Sequence, residues 1–159
     1  MTRFIALIMA GALIASAGDA NALQLPKIDH AATLKECGSC HMVYAPQMLP
    51  QRSWNELMGG LDKHFGESAK LDEAVRLDVL SYLLANAADS PDKPAFTGLT
   101  RGVAPEVTPV RVTEMPWWLR SHREVNIASL ANTRVKTPGN CIGCHIGSDK
   151  TMVYREPGE

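Results

Sequence analysis

The sequence predicts an all-α fold in two small domains, the N-terminal one regular and the C-terminal one less so. Three observations predict it. Apolar residues recur at the helical period over residues 54–65 and 75–84. A stretch rich in proline and glycine, residues 91–113, divides the chain. The string Cys-x-x-Cys-His stands once on each side of it, as Cys37-Gly38-Ser39-Cys40-His41 and as Cys141-Ile142-Gly143-Cys144-His145, and the two strings use all 4 cysteines. The expected organisation is an export signal over 1–22, a first domain over 23–90, a crossing segment over 91–113 and a second domain over 114–159.

Cys-x-x-Cys-His is the attachment pattern of c-type haem. On one helical turn, cysteines at i and i+3 face the same way, so each sulfur can bond one vinyl group of the porphyrin. The histidine at i+4 then comes beneath the iron as proximal ligand. Cys37, Cys40, Cys141 and Cys144 are therefore the expected covalent anchors of two c-type haems, with His41 and His145 on the irons. Two disulfides, a thioredoxin-type redox pair or a four-sulfur zinc site are the rivals. None of them explains a histidine directly after both pairs.

At the start of the chain, Arg3 gives a short positive region. Phe4 to Ala17 is an apolar run broken by Gly11 and Ser16, and Ala20-Asn21-Ala22 offers a small-x-small cleavage site. The run is short for a bilayer span. Cleavage after Ala22 and a periplasmic location are expected, in keeping with haem attachment outside the bacterial cytoplasm. An uncleaved anchor is the rival. What remains is small for two domains, and a haem can supply the apolar interior that such short segments lack. The formal net charge is −1 and there is no basic run, which argues against a nucleic-acid partner.

Residues 29–41 are expected to form a helix running into the first motif, with Asp29 as N-cap and Ala32, Leu34 and Cys37 on its buried side. The prolines of Tyr44-Ala45-Pro46-Gln47-Met48-Leu49-Pro50 predict a loop. Ser53 can cap a second helix whose apolar face is Trp54, Leu57, Met58, Leu61 and Phe65, with Gly66 as its stop. Asp72 can cap a third, from Glu73 to Ala88, with Val75, Val79, Leu80, Leu83 and Leu84 inward. This order resembles a small class I cytochrome c. Val107 to Thr113 alternates weakly, as a short strand would. A helix starts near Pro116, with Trp118, His122 and Val125 on one face, and a shorter one is expected over Asn126–Arg134. The tail after Gly147 reads as polar and irregular.

The group on the second face of each iron decides function. Methionine raises the potential, histidine lowers it, and a vacancy admits small molecules. The chain has 5 histidines, of which His30, His64 and His122 remain after the two motifs. In class I cytochromes a methionine loop lies between the corresponding helices. Here no methionine occurs from residue 59 to residue 114, and His64 holds the equivalent place. Met58 is its rival. His122 shares a face with Trp118 and can enter an apolar pocket, with Met115 and Met152 as rivals. Arg120 and Arg123 can pair with haem propionates or simply face solvent. His30 is expected to be an exposed bystander. By class I analogy the Pro46 carbonyl would accept from the ring of His41.

The string Glu36-Cys37-Gly38-Ser39-Cys40-His41-Met42-Val43-Tyr44-Ala45-Pro46-Gln47-Met48-Leu49-Pro50 with Arg52-Ser53-Trp54 resembles the bacterial dihaem cytochrome c family. So do His64-Phe65-Gly66-Glu67, and Arg120-Ser121-His122-Arg123-Glu124 ahead of the second motif. The resemblance covers nearly all of residues 23–159. It departs at Ala45, where proline is expected before Pro46, which touches only the local loop shape. It implies a class I-like first domain, a less regular second one, and low-spin, low-potential bis-histidine haems. Matched by position, that pairs His41 with His64 and His145 with His122. It also implies electron exchange with redox partner proteins, a high-spin monohaem cytochrome and a membrane b-type cytochrome; no small-molecule substrate is expected. The expected function is periplasmic electron transfer by a protein that is not an enzyme. A dihaem peroxidase or a small-gas binder is the alternative, and either needs one iron with a labile ligand.

Overall fold

The structure is a computed structural model that describes residues 22–155. Nearly all of the expected export signal, residues 1–21, lies outside the described residues. The fold is mostly helical, with one two-stranded sheet. Among the described residues no helix is long and apolar enough to cross a membrane.

Helix α1 (Ala31–Cys37) starts two residues later than expected. Its N-cap is His30, whose Nδ1 accepts from the Thr33 backbone N–H at 3.3 Å, so Asp29 is not the cap. His30 is not an exposed bystander either. Its ring stacks on Tyr82 at 4.6 Å and its Nε2 lies 3.4 Å from Asp78, which ties α1 to α3 (Glu73–Ala85). The helix stops at Cys37, so the rest of the first motif is turn, and Leu34 faces solvent rather than the core.

Helix α2 (Gln51–Gly59) opens after Pro50, and Ser53 lies inside it as a buried residue. It ends at Gly60, well short of Phe65. The apolar period continues through Leu61, but two adjacent glycines cost helix stability and release the chain into a short 3₁₀ turn, Leu61–Lys63. His64 follows that turn instead of ending a helix. Phe65 (φ 52°) and Gly66 (φ 105°) then reverse the chain. Helix α3 matches its expected start and buries Val79 and Leu83, but it ends at Ala85 rather than Ala88. Arg76 and Glu73 pair one turn apart on its exposed side.

The crossing segment contains no strand. It is a 3₁₀ turn over Pro94–Thr100, an irregular run, and a second turn over Val112–Glu114. Arg52 of α2 holds it by donating to the carbonyls of Val107 (2.9 Å) and Ala104 (3.0 Å). Helix α4 (Pro116–Ser121) begins with proline at its first position, as expected, and His122 is its C-cap. Val125 lies beyond its end and is exposed. Residues Ile127–Asn132 and Cys141–Gly143 form 3₁₀ turns.

The tail is more ordered than expected. Helix α5 (Ser148–Thr151) leads into strand β2 (Val153–Tyr154), which pairs antiparallel with β1 (Leu23–Gln24), Leu23 opposite Tyr154. The Leu25 N–H extends the pairing to the Met152 carbonyl at 2.9 Å. One apolar cluster runs through both segments. It joins Leu25, Met48, Leu49, Trp54, Val79 and Leu83 to Val112, Met115, Trp118, Met152 and Tyr154.

Candidate functional site

The loop Pro46–Met48 lies at the centre of this cluster and is fully buried. Its backbone oxygens still need donors. Trp54 Nε1 donates to the Pro46 carbonyl at 2.8 Å, and Trp117 Nε1 reaches the Met48 carbonyl at 3.4 Å. The Pro46 oxygen therefore serves Trp54 and not His41.

The four motif and candidate histidines meet in two pairs. The rings of His41 and His64 have centroids 6.2 Å apart and planes 20° apart. Those of His122 and His145 lie 6.0 Å apart with planes at 88°. Two metal–nitrogen bonds of about 2 Å, each with the rest of its ring beyond, put the centroids of opposed ligands about 6 Å apart. Both pairs have the span of two imidazoles on opposite sides of one iron.

Backbone carbonyls set the tautomers. A carbonyl only accepts, so a ring nitrogen beside one carries the proton. His41 donates from Nδ1 to the Met42 carbonyl at 2.6 Å. His122 donates from Nδ1 to the Trp118 carbonyl at 2.9 Å, one turn back. His145 donates from Nδ1 to the Arg155 carbonyl. Each keeps a lone pair on Nε2, the form a metal needs. Burial, then the nearness of His41 and Arg111, lowers the pKa of His64. Burial also lowers that of His122. A shift in that direction favours the neutral ring, the form in which a histidine can bind a metal.

The surroundings differ between the pairs. Phe65 packs at 4.7 Å from the His64 ring and is itself covered by the Arg111 guanidinium at 3.9 Å. Trp118 stacks on His122 at 4.1 Å and 10°. Tyr154 stands edge-on to His145 at 5.8 Å. Met58, Met115 and Met152, the rival ligands, are buried in the shared cluster. Arg120 lies against the Arg101 carbonyl at 3.5 Å, and Arg123 pairs with Glu124 at 3.3 Å.

Cys37, Cys40, Cys141 and Cys144 form no disulfide with one another. Among the described residues, no three His, Cys, Asp or Glu side chains converge on a common point. A bare ion bound by side chains alone, such as a four-sulfur zinc, has no cage here. Two imidazoles at this span suit a metal that brings its own equatorial ligands, which is what a porphyrin does. The chemistry of the donor set therefore fits haem at both places.

Tyr44 links the two. Its ring lies 5.4 Å from that of His41, and its hydroxyl donates to the Gly139 carbonyl at 2.7 Å, two residues before Cys141. A Cβ on Gly139 would fall 2.8 Å from that hydroxyl, so glycine is needed for the approach. Sequence reading passed over Tyr44, Gly139, Arg111 and the Arg155 carbonyl. No local pattern marks them. Trp118, at i−4 from His122, was visible by helical spacing.

A family model described as dihaem cytochrome c matches residues 33–153. Among solved structures, a diheme cytochrome c from Rhodobacter sphaeroides is 41% identical with a TM-score of 0.67, covering 75% of this chain and 92% of that one. A crystal structure of DHC purified from the same organism is 39% identical with a TM-score of 0.63, over 77% of this chain and 96% of that one. A diheme cytochrome type c from Shewanella baltica is 28% identical with a TM-score of 0.60, over 76% of this chain and 84% of that one. Comparison with curated proteins finds no match.

Proposed function

Because the chain belongs to the dihaem cytochrome c family and so carries two c-type haems, we propose that it is a periplasmic electron carrier. In this reading His41 and His64 hold one iron and His145 and His122 the other. The observation that carries it is the pair of imidazole–imidazole spans, 6.2 Å and 6.0 Å, each between a motif histidine and one outside its motif. Bound haem supplies an iron that takes up and gives back one electron. The chain's residues do the rest. Cys37, Cys40, Cys141 and Cys144 hold the groups covalently. Three backbone carbonyls fix the ring tautomers. Imidazoles on both faces leave neither iron a free position, which disfavours peroxidase chemistry and gas binding.

The proposed partners are other redox proteins, a high-spin monohaem cytochrome and a membrane b-type cytochrome, with no small-molecule substrate. The apolar run and the Ala20-Asn21-Ala22 site support export with cleavage after Ala22. Holoprotein from a host competent in cytochrome maturation tests the reading. It should carry the mass of two haems, stay low-spin in both oxidation states and ignore carbon monoxide. It should be recovered from the periplasm with Leu23 first. A high-spin iron that takes carbon monoxide would overturn it.

A further inference from the structure

The two histidine pairs match in span and differ in orientation. His41 and His64 have planes 20° apart, whereas those of His122 and His145 are 88° apart, close to perpendicular. An imidazole bound to low-spin ferric iron donates π density through the orbital normal to its ring, so each ring raises one particular iron d orbital. Near-parallel rings act on the same orbital and split it from its partner. Crossed rings act on both alike and leave them nearly degenerate. The splitting sets the magnetic anisotropy of the unpaired electron.

The crossed arrangement is held from two separate elements. The His122 ring lies flat on Trp118 at 4.1 Å and 10°, and its Nδ1–H is tied to the Trp118 carbonyl at 2.9 Å. The His145 ring is tied to the Arg155 carbonyl, with Tyr154 against it at 76°. Arg155 follows β2, which β1 fixes in register. Rotating either ring toward the other breaks a hydrogen bond and a ring contact together. At the first pair, His41 is tied to the Met42 carbonyl and His64 is packed by Phe65 under Arg111.

Resting on the bis-histidine reading, we infer that the second haem is a crossed-imidazole centre and the first a near-parallel one, with Trp118 the positioning residue that holds His122 crossed. The two irons then carry different magnetic signatures. Each can be followed by itself through a reductive titration, and the order in which they take electrons becomes readable.

The test is electron paramagnetic resonance of the fully oxidised holoprotein at liquid-helium temperature. Two low-spin signals of equal weight are expected, one rhombic with all three features resolved, the other dominated by a single low-field feature. Trp118→Leu removes the stack and keeps the carbonyl. It should move the low-field feature toward the rhombic type and leave the rhombic signal unchanged, while Trp118→Phe restores the original. Two rhombic signals in the unaltered protein would overturn the inference with the bis-histidine reading intact. A high-spin signal at either iron would overturn that reading instead. The unaltered protein decides the matter even if the Leu variant does not fold.

Discussion

The Tyr44 hydroxyl donates to the Gly139 carbonyl at 2.7 Å, joining the loop after the first motif to the turn before the second. The bond is half-buried and spans 95 residues, so it ties the two haem-binding segments together at the motifs themselves. Tyr44→Phe is expected to cost about 1 kcal/mol, the net worth of one such bond. Gly139→Ala forces its Cβ against the same hydroxyl and should cost about 1–3 kcal/mol. Denaturant titration of both and of the double variant checks this. On the Tyr44→Phe background the alanine should cost less, because the atom it meets is gone.

Burial pushes the Tyr44 phenol from 10.0 up to about 12. The folded state then keeps the proton over a range in which the unfolded chain has lost it. The stability this group contributes is whole below the unfolded value and falls as pH rises from about 10 toward 12. Denaturation midpoints across that range, compared with Tyr44→Phe, should show a shallower alkaline decline in the variant.

His64→Ala is expected to open the first haem alone, and His122→Ala the second alone. In each variant one iron should become high-spin and take carbon monoxide while the other stays as it was. Absorption spectra of the reduced proteins with and without carbon monoxide check this. A variant that keeps both low-spin signatures would sink the ligand assignment.

Trp54→Phe removes the indole bond to the Pro46 carbonyl in a fully buried loop and leaves that oxygen only the longer contact from the Leu49 N–H at 3.4 Å. The expected loss is about 1 kcal/mol, the net worth of one such bond. Thermal unfolding checks it.

Arg52→Ala frees the Val107 and Ala104 carbonyls together. The crossing segment should then be cut faster by protease, with the new sites confined to residues 91–113. Mass spectrometry of the first fragments locates them.

Much of the site was legible because covalent haem attachment demands a local string. Cys37, Cys40, Cys141 and Cys144 needed no tertiary information, and the scarcity of histidine narrowed the opposite ligands to three. Helix α3 was legible because Val75, Val79 and Leu83 keep period where no glycine intervenes. Helix α2 misled because Leu61 and Phe65 prolong the apolar period past Gly59-Gly60, where backbone entropy prevails. His30 was misjudged because histidine is an unusual cap. Strands of two residues carry no readable alternation, so β1 and β2 left no trace. The ring angles and the Tyr44–Gly139 bond come from packing between remote stretches, which periodicity does not encode.

The pairing of β1 with β2 pins residues 23–25 to residues 152–154. A chain clasped in this way does not depend on continuity through its middle. Nicked once near Pro91, where the backbone is exposed, it would leave two pieces with one prosthetic group each, still gripped by the clasp and the common interior. Halves produced separately should therefore find each other in solution and reassemble into the complete molecule.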